Sequence, residues 1–329
     1  MLFSAVVPTR DKRGYLAATL PALFRSAAAA SGDHCEVIVV DDGSRDDTPE
    51  LLAALERSLV APGQPAFRVL QQTSRGLAAA RNTGAAAARG RQVVFLDDDV
   101  LVAPDFFDVL VRGFARDPRG EHVHMGRLRN VCLSAVPDVL AATVAGRTLR
   151  SDDLVPHCTP VQMYEALSAL FAGADSSGVP GAAQPTVWWA VVTGGNLCVP
   201  RDAFERVGGF DEEFAGWGPE DADLCFQLFN RGLGVAFHPA ASVFHLDHPR
   251  DRRAATDAMV RNVARFLKKH GKPRDLYEYL NFVNGTLSLG DFNNAVAARR
   301  GAPALDVPPF FLDLRYVTTR PQFLVGARA

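Results

Sequence analysis

The apolar run from Val93 to Leu96, followed directly by Asp97, Asp98 and Asp99, constrains this chain more than any other stretch. Four apolar residues in a row predict a central strand that is covered on both faces, as in a mostly parallel α/β sheet. Such sheets bind ligands at the carboxyl ends of their strands, where the three aspartates would lie. Like charges this close need a cation or hydrogen-bond donors, and oxygen ligands suit Mg²⁺ or Mn²⁺. Taken alone, the same residues are equally compatible with a strand that ends in a solvated acidic turn.

Length and composition set the class of protein. The 329 residues are enough for two small domains, or for one large α/β domain with an extension. The 35 basic and 37 acidic side chains give a formal net charge of −2, so the overall charge favours neither nucleic acid nor an anionic membrane. Five scattered cysteines without a C-x-x-C pair favour reduced thiols, and no apolar run approaches ~18 residues. We therefore expect a cytoplasmic protein with no transmembrane segment and no nucleic-acid partner.

The first hundred residues alternate between two hydrophobic periodicities. Three further apolar runs predict strands, at residues 2–8, 36–40 and 67–70, with helical patterns between them. This alternation implies right-handed βαβ crossovers and a doubly wound parallel sheet with helices on both faces. The helix predicted at residues 77–89 is rich in alanine, with Arg81 and Asn82 as its polar exceptions. These two side chains are suited to contact a nucleotide or the acidic loop, and equally to be a surface arginine and a satisfied core asparagine.

A second chemical cluster follows a weakly patterned stretch at residues 130–185, which we expect to be an insertion. Pro219 is predicted at the first position of a helix, with Glu220 and Asp221 in its first turn. The helix dipole alone favours acids there. A role in ligand binding is favoured instead by Trp217, which lies between two glycines just before these acids, as an aromatic platform for a ligand would.

Histidines and arginines occupy the last third of the chain. A predicted strand ends at His245, and His248 follows three residues later. A lone histidine at a strand end is usually structural. Beyond residue 250 an amphipathic helix carries many basic residues, which indicate a solvated cationic face. Three of these arginines, at positions 250, 252 and 253, are alternatively placed to close over a diphosphate.

Taken together, these stretches resemble the nucleotide-sugar glycosyltransferases of the GT-A fold, in particular family 2. The matching landmarks are Val7-Pro8-Thr9-Arg10, Val40-Asp41-Asp42-Gly43-Ser44, Gly76 with Ala80-Arg81-Asn82, Phe95-Leu96-Asp97-Asp98-Asp99, Gly194-Gly195-Asn196, Gly216-Trp217-Gly218-Pro219-Glu220-Asp221 and Phe244-His245. Their order and spacing match from the first strand to about residue 249. The resemblance implies a GT-A domain at 1–249, with a nucleotide-binding half at 1–103 and an acceptor half at 104–249, and a C-terminal helical extension at 250–329.

The resemblance also implies roles for individual residues. Those that would bind the nucleotide are Pro8, Thr9, Arg10, Asp42, Arg81, Asp97 and Asp98, with Asp42 on the base. Those that would contact the acceptor or donor sugar are Gly194, Gly195, Asn196 and Trp217, and the metal ligands would be Asp97, Asp99 and His245. The tryptophan followed by Glu220-Asp221 is similar to the acceptor motif of β4-galactosyltransferases and chondroitin polymerases, in which the aspartate is the base. Val100 stands where the family often has a further acid.

The chemistry of sugar transfer is compatible with these residues. A sugar diphosphate leaves as a dianion, so Mn²⁺ or Mg²⁺ held by carboxylates would stabilise its growing charge. One carboxylate on the opposite face can accept the proton of the attacking group, and that arrangement inverts the anomeric centre. We therefore predict metal-dependent transfer of a hexose or N-acetylhexosamine from a UDP-sugar to a hydroxyl, with a thiol or an amide as the alternative. The acceptor would be a sugar, a peptide or a small metabolite, and the C-terminal extension offers a surface for an oligomer.

Two other functions are weighed against this prediction. A nucleotidyltransferase would also place a metal at the edge of a doubly wound sheet, but it should carry a glycine-rich phosphate loop after the first strand, and Pro8-Thr9-Arg10 does not match one. A non-catalytic sugar-binding or scaffold protein would keep the fold without needing Asp99, Asp221 and His245 together.

Overall fold

The strands of the first hundred residues form a parallel layer in the computed structural model. β1 (Phe3–Thr9) lies between β2 (Cys35–Asp41) and β4 (Gln92–Leu96), and β3 (Ala66–Gln71) continues the layer beyond β2. Every residue of β1, β2 and β4 is buried, which agrees with a central layer covered on both faces. The structure describes residues 1–30, 35–59, 63–171, 185–249, 251–307 and 310–311, without the side chain of residue 252.

The second half of the sheet mixes strand directions. β8 (Asn196–Pro200) pairs antiparallel with β4 and with β6 (His122–Val131), and β9 (Gly234–Leu246) runs parallel to β6. β5 (Val100–Val102) pairs antiparallel with β9, and the short β7 (Cys158–Pro160) pairs with β6. The nine strands found in the described ranges form one continuous sheet. The predicted nucleotide and acceptor halves therefore share a sheet, and the structure confirms an α/β fold with a mixed central sheet.

Helices flank the strands on both faces of the sheet. They are α1 (Arg13–Ala29), α2 (Thr48–Leu59), α3 (Leu77–Ala87), α4 (Phe106–Phe114), α5 (Val136–Val144), α6 (Ser151–Leu154), α7 (Gln162–Leu170), α8 (Arg201–Val207), α9 (Glu220–Asn230), α10 (Arg252–Lys269), α11 (Arg274–Val283) and α12 (Leu289–Arg300). The alanine-rich α3 lies very close to β1: a Cβ on Gly84 would be 2.3 Å from the Val6 side chain. Because α3 packs this closely on the sheet, the side chain of Arg81 on α3 reaches Asp97 at the end of β4. No helix in the described ranges is both long and apolar enough to cross a lipid bilayer.

The C-terminal helices α10, α11 and α12 share the hydrophobic core of the preceding chain. The indole of Trp189 is fully buried, and the rings of Phe266, Tyr279 and Phe292 lie around it with centroid distances of 6.4, 5.4 and 6.0 Å. Aromatic rings at these separations add to the stability gained from burial. The predicted helical extension is thus helical in its described part and packs directly on the sheet domain. Arg250 and the side chain of Arg252, two of the arginines considered for a diphosphate, lie outside the described residues.

Candidate active site

A cavity of about 560 Å³ opens at the carboxyl edge of the sheet, where β1, β2 and β4 end. The site residues predicted from the sequence that line it are Pro8, Thr9, Arg10, Asp42, Asp97, Asp98, Asp99, Trp217, Glu220 and His245. The fold therefore brings together residues separated by more than 200 positions. Five predicted site residues are not among the described residues that line it: Arg81, Gly194, Gly195, Asn196 and Asp221.

Arg81 lies behind the cavity and joins its two halves. Its guanidinium is 2% exposed and donates to Asp97 Oδ1 at 2.9 Å and to Glu220 Oε1 at 3.0 Å. The ring of Phe210 lies 5.1 Å from the guanidinium carbon and covers one face of it. Burial alone would lower the pKa of Arg81, but the two carboxylates raise it, so the group stays charged. A nucleotide contact by Arg81 stays a prediction, and the structure gives this side chain two carboxylate partners within the protein.

The glycine pair after residue 193 lies against the protein's own charged groups. A Cβ on Gly194 would be 2.7 Å from the Arg81 guanidinium, and one on Gly195 would be 2.5 Å from Asp97 Oδ2. The two glycines predicted that the backbone lies close to another group here, but not which group. The structure shows that these groups are Arg81 and Asp97. Asn196 is 2% exposed at the start of β8, so its side chain lies inside the protein.

Asp99 lies at the centre of a cluster formed with Lys12, His245 and His248. Its carboxylate lies 3.6 Å from His245 Nε2 and 3.0 Å from His248 Nε2, and the three possible ligand atoms all lie within 4.8 Å of one another. Lys12 Nζ also contacts Asp99, at 2.9 Å. Burial alone would raise the pKa of Asp99, but the hydrogen bond from His248 and the charges of His245 and Lys12 hold it far below its usual range.

This cluster has a donor set that suits a divalent ion. One carboxylate with two imidazoles favours a transition metal such as Mn²⁺ over Mg²⁺, which prefers oxygen ligands and water. The family resemblance implied Asp97 as a ligand, whereas the structure groups His248 with Asp99 and His245. The signal for His248 was its position three residues beyond His245, on the segment that leaves β9. Neither spacing nor propensity could show that this segment turns back toward Asp99.

Asp98 is hydrogen-bonded to residues of β1 and α1. Its carboxylate accepts a hydrogen bond from Thr9 Oγ1 at 2.7 Å, and its backbone carbonyl accepts one from Thr19. Burial, together with the neighbouring charge of Asp99, raises the pKa of Asp98 to about 7. Asp98 thus connects the loop after β4 to the end of β1, and it lines the cavity together with Asp97 and Asp99.

Asp42 holds the loop between β3 and α3. Its two oxygens accept hydrogen bonds from the backbone N–H groups of Arg75 and Gly76 and from the side chains of Gln72 and Ser74, at 2.7 to 3.2 Å. Burial alone would raise the pKa of Asp42, but these donors lower it. Four accepted hydrogen bonds match the capacity of one carboxylate. The predicted contact of Asp42 with a base would therefore have to share or replace one of them.

Glu220 and Asp221 form the start of α9. Asp221 Oδ2 accepts from the backbone N–H of Gly194 at 2.9 Å, and Oδ1 accepts from Ala222 at 2.7 Å. Burial raises the pKa of Asp221, and burial together with the charge of Asp221 raises the pKa of Glu220 to about 8. Trp217 is 37% exposed and lines the cavity beside Glu220. The site thus has carboxylates with raised pKa values on one side and the Asp99 cluster on the other.

This architecture is the GT-A-like fold of glycosyltransferases. Residues 4–124 match the family described as glycosyl transferase family 2, and residues 182–249 match the N-terminal domain of galactosyltransferase. These matches confirm the resemblance to family 2 and to galactosyltransferases at the level of the two domains, while the acceptor motif at residues 217–221 stays a prediction. The first holds the three aspartates after β4, and the second holds Trp217, Glu220, Asp221 and His245.

A curated relative is also a glycosyltransferase, and two solved structures share the fold. Validoxylamine A glucosyltransferase from Streptomyces hygroscopicus subsp. jinggangensis is 28% identical over 285 residues, which are 82% of this chain and 61% of that protein. This chain therefore spans less than two thirds of that relative. Mannosyltransferase PcManGT from Pyrobaculum calidifontis, solved with GDP-Man and Mn²⁺, has a TM-score of 0.58 at 18% identity and covers 92% of this chain and 76% of its own. GalNAc-T7, solved with UDP, GalNAc and Mn²⁺, has a TM-score of 0.55 at 15% identity over 99% of this chain and 57% of its own.

Proposed function

We propose that this domain is a metal-dependent inverting glycosyltransferase that moves a hexose or N-acetylhexosamine from a UDP-sugar to an acceptor hydroxyl. One observation carries the proposal: a single cavity at the sheet edge is lined by Asp99, His245 and Glu220, and the buried Arg81 joins Glu220 to Asp97 of the acidic loop. A nucleotide-sugar transfer needs a cation on the leaving diphosphate and a base on the acceptor. The two sides of this site can supply both.

Asp99, His245 and His248 are the residues that would hold Mn²⁺ or Mg²⁺. The ion would act as a Lewis acid on the diphosphate oxygens. Asp97 is held toward Arg81 by its 2.9 Å hydrogen bond and is 35% exposed, so it can accept a hydrogen bond from the donor at the cavity wall. Thr9 and Asp98 form the floor beside it through their 2.7 Å hydrogen bond.

Asp221 is proposed as the general base, with Glu220 beside it on the cavity wall. The backbone N–H groups of Gly194 and Ala222 fix the orientation of the Asp221 carboxylate. Its raised pKa makes it a stronger proton acceptor than an exposed aspartate, provided that it is ionised at the working pH. Arg81, which holds Glu220, keeps a positive charge close to both acids.

The donor and acceptor are proposed at the level of class. UDP in the GalNAc-T7 structure supports a uridine donor, and GDP-Man in PcManGT shows that this fold also accepts guanosine donors. The name of the glucosyltransferase from Streptomyces supports glucose as the sugar and a small metabolite as the acceptor.

Calorimetry of UDP-glucose, UDP-N-acetylglucosamine and GDP-mannose, each with Mn²⁺ and with EDTA, tests the proposal. We expect UDP-sugars to bind only with the metal, and UDP to be released on addition of an acceptor panel of sugars, peptides and small metabolites that carry free hydroxyls. Metal-dependent binding without release under any acceptor would favour the non-catalytic alternative. Stronger binding of GDP-mannose would overturn the uridine assignment.

A further inference from the structure

The segment Ala215 to Gly218, here called the Trp217 loop, is held by a helix from outside both matched segments. Asn262, on α10, is 3% exposed, and its side-chain amide donates to the backbone carbonyls of Ala215 and Trp217, both at 3.2 Å. Since this loop leads directly into Glu220 and Asp221, its position sets the wall of the proposed acceptor side.

The glycines of the Trp217 loop are explained by the same helix. A Cβ on Gly218 would lie 2.3 Å from Asn262 Nδ2, and one on Gly216, whose φ is +76°, would lie 3.0 Å from the Cβ of Ala258. The loop therefore approaches α10 as closely as a backbone without side chains permits. This contact orients Trp217, which keeps 37% of its surface exposed toward the cavity.

The end of α10 forms ion pairs with Asp211 and Asp223. Lys269 Nζ lies 2.7 Å from Asp223 and 3.1 Å from Asp211, and His270 Nε2 lies 2.7 Å from Asp223. Asp223 is fully buried, two residues beyond Asp221 on α9. α10 is thus attached on both sides of the Trp217 loop, and it cannot shift without moving the start of α9.

We propose that Asn262 is a positioning residue for the acceptor side, which makes α10 part of the active site rather than an appendage. It acts through the Trp217 loop by supplying hydrogen-bond donors to two carbonyl groups that have turned toward the protein interior. This rests on the proposed function for its catalytic meaning, while the position of the loop can be measured without any turnover.

Acrylamide quenching of tryptophan fluorescence tests the proposal. The chain has three tryptophans, and Trp188 and Trp189 are fully buried, so quenching reports on Trp217. Asn262→Leu removes both donors at similar volume, and we expect a quenching constant at least about twofold above wild type, because two lost hydrogen bonds shift the held loop toward release by roughly 10- to 30-fold. Asn262→Asp is the second variant, for use if Asn262→Leu does not fold. It keeps the shape of the side chain but places a carboxylate against the two carbonyls, so we expect the same increase in quenching. Val260→Ala, 66% exposed on the same helix, is the matched control and should quench as wild type.

Binding of UDP with Mn²⁺ separates positioning from general damage. The residues that would hold UDP lie at the ends of β1, β2 and β4, so its affinity should change by less than about twofold in the variants. With an active acceptor, KM for the acceptor should rise while KM for the donor stays constant. Wild-type quenching in a folded variant overturns the proposal, as does a parallel loss of UDP binding, or a failure of both variants to fold. If wild type itself binds no UDP, the proposed function fails while quenching still decides the role of Asn262.

Discussion

The guanidinium of Arg81 lies 3.0 Å from the carboxylate of Glu220, although 139 residues separate them in the chain. The same guanidinium holds Asp97, which belongs to the acidic loop after β4. A single buried cation therefore couples the proposed donor and acceptor sides of the site. Its removal would leave two carboxylates without their shared partner.

Arg81→Met should lower the free energy of unfolding by at least about 2 kcal/mol, because it removes the hydrogen bonds that the buried guanidinium donates to Asp97 and Glu220. Arg75→Met is the matched control. Arg75 pairs with Glu212 but is 53% exposed, and loss of an exposed pair costs at most about 1 kcal/mol. Urea unfolding followed by circular dichroism measures both variants. Equal small losses would mean that Arg81 is not the coupling group.

Asp221→Asn should reduce turnover by ~10²–10⁴-fold while binding of UDP with Mn²⁺ survives, because an amide keeps the shape but cannot accept the acceptor's proton. Loss of a helix-start acid alone would cost only ~1 kcal/mol of stability. Steady-state kinetics and thermal melting of the same preparation separate these two roles. Glu220→Gln is the neighbouring control and should impair substrate binding more than turnover. More than about a tenth of wild-type turnover in Asp221→Asn would show that another group is the base.

His248→Ala should weaken Mn²⁺ binding by at least about tenfold, since even groups that only orient a metal ligand change affinity by 10- to 100-fold. His245→Ala should have the same effect, whereas Asp97→Asn should alter donor binding more than binding of the metal alone. Calorimetric titration of Mn²⁺ without nucleotide provides the readout. Wild-type metal affinity in His248→Ala would remove this residue from the site.

Acid should destabilise the fold through His238. This side chain is 6% exposed and hydrogen-bonds to His124, which in turn contacts Asp117, and Arg116 lies nearby. Burial first, and then the charges of His124 and Arg116, lower the pKa of His238 from 6.5 to about 3. The unfolded chain therefore binds a proton that the folded protein does not bind between these values. The contribution of His238 to the free energy of unfolding should fall as pH drops through this window, by up to about 1.4 kcal/mol per unit, whereas the raised pKa values of Asp98 and Glu220 contribute in the opposite direction.

Urea unfolding at pH 7 and pH 5 measures this dependence. From pH 7 to pH 5 the free energy of unfolding of His238→Gln should fall less, or rise more, than that of wild type, because only wild type loses the contribution of His238. Asp117 has a lowered pKa, so its own contribution is lost only below about pH 4 and does not confuse the comparison. His157→Gln, at an exposed position, should keep the wild-type slope. An unchanged slope in His238→Gln would contradict the assignment.

The local pattern of the sequence was enough for the elements that depend on it. The run from Val93 to Leu96 belongs to the buried strand β4, because consecutive apolar side chains point to both faces of a strand and are removed from water only where both faces are covered. Pro219, predicted at the first position of α9, lies one residue before that helix, and Glu220 and Asp221 stand in its first turn as predicted. The alanine-rich α3 was predicted at 77–89 and ends at Ala87.

Long-range geometry decided the rest, since it depends on how elements pack and not on their own periodicity. No local pattern states that the segment after β9 brings His248 to Asp99, or that Arg81 turns behind the cavity to join Asp97 with Glu220. The basic, amphipathic α10 gives the pattern of a solvated helix, and only its packing places Asn262 against the Trp217 loop. The sequence by itself determined which residues are chemically able to act, because that follows from side-chain type and local order. The tertiary structure alone decided which of them meet, because contacts between distant residues arise from burying the whole sheet and its helices at once.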